Sequence, residues 1–188
     1  MPAAPSEGSL LLLDLDHFKL INDRHGHAAG DTVLVEVARR LRVLLRDDDV
    51  IVRWGGEEFL ILARGLAAPQ TQDLAERLLA GIGGRTIDLP GGATTVTASI
   101  GYATFPIDPH RIALPWERAL DLVDTALYLA KAHGRNLAYG IQTLQARDQS
   151  ELAEISAGLE AAWNAGRVAL QPVPGPRTAT QAEPTAAG

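Results

Sequence analysis

A pair of glycines followed by two glutamates separates two β-type runs in the first half of the chain. The run 50–54 (VIVRW) precedes Gly55-Gly56-Glu57-Glu58, and the run 59–62 (FLIL) follows it. Paired glycines between such runs predict a tight β-hairpin. The fold must therefore contain an antiparallel sheet, and Glu57 is expected at or near the tip of the hairpin.

The rest of the chain supplies further strands and amphipathic helices in alternation. An apolar run at 10–14 predicts the first strand, and a polar turn is expected at 22–30. Helices are predicted at about 31–46, with Asp31 as N-cap, at 69–82 and from Pro115 to about residue 133, and strands at 86–89, 94–102 and 136–139. This order predicts an α+β fold, with a central, mostly antiparallel sheet surrounded by helices.

The two ends of the chain differ in composition from this body. Residues 1–9 are expected to be a flexible N-terminus, and the body is expected to end near residue 141. A further amphipathic helix is predicted over 152–163, followed by a small apolar run at 168–170. Residues 172–188 contain four prolines among Ala, Thr and Gly, and they are predicted to be a disordered tail.

Composition limits the kinds of partner this chain can bind. The formal net charge of the 188 residues is −6, which argues against binding a nucleic-acid polymer. No apolar run is long enough to cross a bilayer, so a cytoplasmic protein is expected. There are no cysteines, so a bound metal needs oxygen or imidazole ligands, and a hard cation is the expected choice.

Acidic residues fall at two strand ends that an antiparallel sheet can bring together. Asp14 and Asp16 end the first strand, and Glu57 and Glu58 lie at the glycine bend. Magnesium binds one or two carboxylates and leaves its other positions to water and phosphates, so these residues are candidates for a Mg²⁺–nucleotide site. An equally weighted alternative is that they are ordinary solvated hairpin residues.

Other candidate residues also have ordinary structural explanations. Lys131 and Arg135 lie one helical turn apart if the last long helix persists, and they could bind phosphates or simply complement the helix dipole. Asp31 could act only as a helix cap. Arg46 and Asp49 could belong to a solvated helix end.

Several motifs, taken together and in order, closely resemble the GGDEF diguanylate cyclase family over about residues 10–140. The matching residues are Asp14-Leu15-Asp16-His17-Phe18-Lys19, Asn22-Asp23, Gly26-His27, Gly30-Asp31, Gly55-Gly56-Glu57-Glu58-Phe59, Ala126-Leu127-Tyr128, Ala130-Lys131 and Gly134-Arg135-Asn136. The resemblance implies a fold similar to that of nucleotidyl cyclases and polymerase palm domains.

The resemblance also implies roles for individual residues. Asp14, Glu57 and the carbonyl of Leu15 would hold Mg²⁺, with Mn²⁺ as an alternative. Asn22 and Asp31 would read guanine, within a substrate site that includes Phe18, Lys19, Gly55 and Gly56. Lys131 and Arg135 would hold the terminal phosphates. Arg46 and Asp49, with Arg77 as a weaker candidate, would form a product-inhibition site of the RxxD type.

The activity implied is the condensation of two GTP molecules into cyclic di-GMP and two pyrophosphates by a homodimer. Residues 159–173 resemble the opening of an EAL phosphodiesterase domain, and the segment that usually precedes the first strand has no counterpart before Ser9. The chain is therefore expected to be the first domain of a GGDEF–EAL hybrid, truncated at both ends, with 142–171 as a linker helix and the start of the EAL-like part. Two alternatives remain: a catalytically silent GTP-binding regulatory module, and a cyclic di-GMP receptor.

Overall fold

The computed structural model of the protein describes residues 8–111 and 114–177, and it shows a six-stranded sheet with helices on both faces. The strands are β1 (Gly8–Leu15), β2 (Val50–Arg53), β3 (Glu58–Arg64), β4 (Ile87–Leu89), β5 (Gly92–Thr94), β6 (Ala98–Pro109), β7 (Leu137–Leu144) and β8 (Val168–Pro174). The helices are α1 (Phe18–His25), α2 (His27–Leu44), α3 (Ala68–Gly83), α4 (Trp116–Ala132), α5 (Gln149–Ala157) and α6 (Leu159–Asn164). None of the described helices is long and apolar enough to span a bilayer.

The main sheet has the strand order β2-β3-β1-β6-β7-β8, and β4 and β5 form a separate two-stranded sheet. Among the pairs of the main sheet, β6 and β7 run parallel and the others run antiparallel. The predicted α+β class and the mostly antiparallel sheet are therefore confirmed. Strand β1 lies in the middle, so its end is enclosed by neighbouring strands.

Two hydrophobic clusters cover the two faces of the sheet. Leu11 and Leu13 of β1 pack on the face covered by α2 and α3, whereas Leu10 and Leu12 pack on the face covered by α4, α5 and α6. Alternate side chains of a strand point to opposite faces, so burial on both sides explains why β1 is apolar at every one of these positions. The buried centre of the sheet thus fixes the position of Asp14 and Leu15, which follow Leu13 at the end of β1.

Three predicted elements differ from the structure in the first two thirds of the chain. The polar segment predicted as a turn over 22–30 contains the second half of α1 and the start of α2, with Gly26 between them. Gly26, with φ +84°, is the N-cap of α2, so the prediction that Asp31 caps this helix is wrong. The stretch predicted as one strand over 94–102 is divided between β5 and β6.

The C-terminal part also differs from its prediction. The helix predicted over 152–163 is interrupted at Gly158, between α5 and α6. Pro172 and Pro174 belong to β8, which pairs with β7 along the main sheet, so the prediction of a disordered tail from residue 172 is wrong at its start. Residues 178–188 of that predicted tail, and residues 1–7 of the predicted flexible N-terminus, lie outside the described residues, whereas Gly8 and Ser9 belong to β1.

Candidate active site

The end of β1 and the glycine bend of the β2–β3 hairpin lie side by side. Asp14 pairs with Glu58 in the register of β1 and β3, and the N–H of Leu15 donates to the carbonyl of Glu57 at 3.2 Å. The guanidinium of Arg53 donates to the carbonyl of Gly56 at 2.8 and 3.1 Å, which fixes the bend. Asp14 and Glu57 therefore lie close together at neighbouring strand ends.

Asp14 lies in surroundings that disfavour its charge. Its carboxylate is almost fully buried and forms an ion pair with Lys131 of α4, with 2.9 Å between Oδ2 and Nζ. Burial raises the pKa of Asp14, the hydrogen bond and charge of Lys131 lower it, and the charges of Glu57 and Glu58 raise it further, with a net upward shift. A cation placed between these carboxylates would remove the repulsion, and the ammonium of Lys131 already occupies one side of Asp14.

Asp16 has a different, structural role. It accepts hydrogen bonds from the hydroxyls of Thr97 and Ser99 at 2.7 Å and from the N–H of Asn136 at 2.9 Å. These bonds tie the end of β1 to β6 and to the start of β7. In the described part of the chain, no three His, Asp or Glu side chains gather as metal ligands, so a metal held by Asp14 and Glu57 would need backbone, water or phosphate oxygens to complete its shell.

A cleft of about 450 Å³ opens next to Glu57. Its walls come from α1, α2 and the hairpin, and they are formed by Phe18, Lys19, Asn22, His27, Asp31, Leu34, Arg53, Gly56 and Glu57. The proposed guanine-reading pair and the hairpin tip therefore face one space. His27, Leu34 and Arg53 were not predicted as part of this site; the alternation of a β-strand gave no signal for Arg53, and His27 lay in the segment predicted as a turn.

Gly30 allows Asn22 to pack closely against α2. A Cβ at residue 30 would overlap Oδ1 of Asn22, and it would lie 2.9 Å from the Cγ of Asn22 and 3.1 Å from Cζ of Phe18. Asn22 is half-buried, whereas Asp31 is exposed in the first turns of α2. The absence of a side chain at Gly30 thus sets the position of the amide at the wall of the cleft.

Lys131 and Arg135 do not share a helix face. Helix α4 ends at Ala132, close to its predicted end near residue 133, and Arg135 follows in the left-handed region with φ +63°. The condition under which Lys131 and Arg135 would share a helix face is therefore not met. Lys131 lies in the last turn of α4 beside Asp14, and Arg135 is exposed in the loop that leads to β7. Neither residue lines the 450 Å³ cleft, although Lys131 reaches the carboxylate end of the site.

The Arg46–Asp49 segment forms a closed turn after α2. The N–H of Arg46 donates to the buried carboxylate of Asp49 at 2.9 Å, and the N–H of Asp49 donates to the carbonyl of Arg46 at 3.1 Å. The side chain of Arg46 is exposed. Arg77 lies on α3 and lines a groove of about 640 Å³ between α2 and α3, which Arg46 and Asp49 do not line.

Comparison with known protein families gives one matching family. Residues 3–137 match the model described as "Diguanylate cyclase, GGDEF domain". The match includes β1, the β2–β3 hairpin and α4, and so it covers every residue of the candidate site.

Individual relatives have different named activities. The chain is 40% identical over 128 residues to diguanylate cyclase A of Treponema denticola, and the match covers 68% of this chain and 33% of that protein. It is 39% identical over 130 residues to the cyclic di-GMP phosphodiesterase NbdA of Pseudomonas aeruginosa, with 69% of this chain and 16% of that protein covered. The chain thus spans a third or less of the length of either relative.

A solved structure shows the same fold. The GGDEF domain of DgcB from Caulobacter crescentus, determined in complex with cyclic di-GMP, matches with a TM-score of 0.64 and 28% identity, over 72% of this chain and 78% of that chain. The order of motifs, the paired strand ends and these comparisons lead to one conclusion: the chain belongs to the GGDEF domain family of diguanylate cyclases.

Proposed function

We propose that this chain is a diguanylate cyclase domain that condenses two GTP molecules into cyclic di-GMP with release of two pyrophosphates. The observation that carries this proposal is the single site in which Asp14, Glu57 and Lys131 meet beside a cleft that contains Asn22 and Asp31. The 3′-oxygen of each GTP attacks the α-phosphate of the other. The bond from that phosphorus to the pyrophosphate oxygen breaks, and the hydroxyl proton is lost.

Asp14, Glu57 and the carbonyl of Leu15 would hold Mg²⁺, or Mn²⁺ in its place. Burial is the main reason that the pKa of Asp14 is raised, and the charges of Glu57 and Glu58 raise it further. A divalent cation at this position would offset both effects, which supports the assignment. When bound, the metal supplies Lewis-acid polarisation of the phosphates and acidifies the attacking hydroxyl. Lys131 donates from the side of Asp14 and is positioned to neutralise phosphate charge.

Guanine is bound between α1 and α2 by Asn22 and Asp31, with Phe18 and Lys19 in the same wall. An amide and a carboxylate together match the donor and acceptor edge of guanine. Gly55 and Gly56 allow the backbone of the bend to approach the triphosphate. Arg135, which is exposed in the loop after α4, would bind the terminal phosphates.

The reaction needs two copies of the domain. Each copy presents one cleft with one set of carboxylates, and two GTP molecules must face each other for mutual attack. A homodimer is therefore the active species, and its formation limits the rate at low protein concentration.

The proposal is tested by incubating the chain with GTP and Mg²⁺ and separating the products by chromatography. We expect cyclic di-GMP and two pyrophosphates per molecule of product, with a specific rate that rises with protein concentration. ATP should compete poorly, because an adenine edge leaves the polar groups of Asn22 and Asp31 unmatched. Equal inhibition by ATP and by an unreactive GTP analogue would contradict the assignment of this pair.

A second candidate function is a silent GTP-binding module that regulates an attached phosphodiesterase. It is favoured by the similarity to NbdA, which is named as a phosphodiesterase. Tight GTP binding without any cyclic di-GMP, at concentrations where the chain is dimeric, would support this function over the first.

We propose that product inhibition acts at the turn formed by Arg46 and Asp49. Arg77 on α3 is a weaker candidate for the second arginine of this site. The exposed guanidinium of Arg46 is available for a phosphate, while one oxygen of Asp49 is occupied by the turn. Arg46→Ala should weaken binding of cyclic di-GMP and relieve inhibition, while GTP affinity stays the same. Unchanged cyclic di-GMP affinity would leave Arg46 as a solvated turn residue.

A further inference from the structure

The loop between α4 and β7 has an unusual backbone. Gly134, Arg135 and Asn136 have successive φ angles of +115°, +63° and +47°. Two neighbouring residues that are not glycine rarely adopt this left-handed conformation, and it persists only where surrounding contacts hold it. Since Arg135 lies in the middle, these contacts fix the backbone from which its side chain extends.

Asn136 is held from two sides. On the side of the active site, its N–H donates to the buried carboxylate of Asp16 at 2.9 Å. On the other side, its carbonyl accepts from the N–H of Gly175 at 2.8 Å, and its side-chain Nδ2 donates to the carbonyl of Pro176 at 2.8 Å. The loop is therefore fixed between the end of β1 and the residues directly after β8.

The second of these contacts comes from outside the part of the chain that matches the family. The family match ends at residue 137, whereas β8 covers Val168–Pro174 and pairs antiparallel with β7, with Leu137 opposite Pro174. Gly175 approaches so closely that a Cβ there would lie 2.6 Å from Cγ and 2.8 Å from the carbonyl oxygen of Asn136. The fit depends on the absence of a side chain at residue 175.

We propose that Asn136 is a positioning residue which couples strand β8 to Arg135, so that the Gly175–Pro176 segment controls the affinity for the terminal phosphates of GTP. This inference rests on the proposed role of Arg135 in phosphate binding. Guanine binding is independent of β8, because Asn22 and Asp31 lie on α1 and α2. Displacement of β8 therefore weakens triphosphate binding selectively.

The test compares two nucleotides on the full chain by calorimetry in the presence of Mg²⁺. The first is 3′-deoxy-GTP, which lacks the attacking hydroxyl and is not consumed; the second is GMP, which lacks the terminal phosphates. Gly175→Ala should lower the affinity for 3′-deoxy-GTP roughly 3- to 10-fold, the range expected for loss of one or two hydrogen bonds, and should leave the affinity for GMP unchanged. Gly158→Ala is the matched control, because a Cβ there meets nothing closer than 3.9 Å.

A second variant and a double variant complete the design. In Asn136→Gly the new glycine can adopt the left-handed backbone, so this variant removes only the side-chain hydrogen bond to the carbonyl of Pro176. It replaces Gly175→Ala as the test if Gly175→Ala does not fold. It should have a smaller effect in the same direction. In an Arg135→Ala background, neither Gly175→Ala nor Asn136→Gly should lower the affinity for 3′-deoxy-GTP any further.

The outcomes separate this inference from the proposed function. If Arg135→Ala weakens 3′-deoxy-GTP but Gly175→Ala and Asn136→Gly do not, the coupling is overturned and the proposed function stands. Equal weakening of both nucleotides, or an effect that persists without Arg135, also overturns the coupling. If Arg135→Ala itself has no effect, the proposed phosphate role of Arg135 fails together with the coupling.

Discussion

Asp14 and Glu36 both lie within 2.9 Å of cationic nitrogens, yet the pKa values of the two carboxyl groups shift in opposite directions. The pKa of Asp14 is raised, mainly by burial, despite the ion pair with Lys131. The pKa of Glu36 is lowered from 4.5 to about 2 by hydrogen bonds from Arg39 and Arg40, each bond being 2.8 Å long. A nearby cation alone therefore does not decide whether the pKa of a carboxyl group is raised or lowered.

The difference lies in the surroundings of each group. Glu36 is at the surface of α2 and faces two guanidinium groups. Asp14 is almost fully buried, has a single cation beside it and lies near two glutamates. The cluster around Glu36 stabilises the fold, whereas the cluster around Asp14 holds negative charge that an additional cation would balance.

The largest expected effect is on activity. Asp14→Asn should lower the rate of cyclic di-GMP formation by about 100-fold or more, because it removes the carboxylate that we propose as a metal ligand. The fold should not suffer, since the raised pKa shows that ionised Asp14 opposes folding. The wild type loses stability relative to the variant as the pH rises above 3.8, because Asp14 then ionises in the unfolded chain while it stays protonated in the folded one, and the loss levels off once Asp14 also ionises in the folded state. Urea unfolding at several pH values measures this difference.

Asp16→Asn is the matched control on the same strand. Asp16 accepts three hydrogen bonds, so this change should destabilise the fold by about 1–3 kcal/mol. A larger loss of stability from Asp14→Asn than from Asp16→Asn would contradict the difference between a buried carboxylate whose charge is disfavoured and one whose charge is satisfied by hydrogen bonds.

Arg40 gives the next effect, on stability alone. Its guanidinium is 9% exposed and donates to the carbonyls of Ile82, Arg85 and Thr86, at 2.7–3.0 Å, and to Glu36. Arg40→Met should lower the free energy of unfolding by about 2–4 kcal/mol, because these carbonyls lose their donor. Arg39→Met, which removes an exposed guanidinium, should lower the free energy of unfolding far less. Both variants should keep the wild-type rate per folded molecule at a temperature where they are folded.

The smallest effect concerns the pH dependence of the Glu36 cluster. Glu36→Gln should lower stability by about 0.2–1 kcal/mol at neutral pH, as is usual for a surface ion pair. A lowered pKa means that the stabilisation is complete above 4.5 and is lost as the pH falls toward about 2. The difference in the free energy of unfolding between variant and wild type should therefore narrow as the pH falls from 5 to 3. A difference that widened on acidification would contradict the stabilising role of Glu36.

The sequence predicts the central sheet well because its signals are local. The apolar run of β1 and the glycine pair of the hairpin each define an element by themselves, and antiparallel pairing then places Asp14 near Glu57. Helix α1 was missed although Phe18 and Ile21 share a buried face, because its polar residues and the following glycine resemble a turn.

Strand β8 and the position of Arg135 could not be derived in this way. Pro172 and Pro174 argue against a strand, but β8 pairs only on one side, with β7, and an edge strand tolerates proline. Arg135 depends on where α4 stops and on contacts with residues about 40 positions further along the chain. Pairing over such distances leaves no periodic signal in the sequence.

We propose that Glu57 at the hairpin bend and Asp14 at the end of β1 hold the metal at which GTP reacts. The most direct measurement compares the rate of cyclic di-GMP formation by wild type and Glu57→Gln, with equal thermal unfolding midpoints as the condition for comparison. Gln has nearly the same shape but no charge, so we expect a folded variant whose rate is at least about 100-fold lower. A folded Glu57→Gln variant with the wild-type rate would show that Glu57 does not hold a catalytic metal.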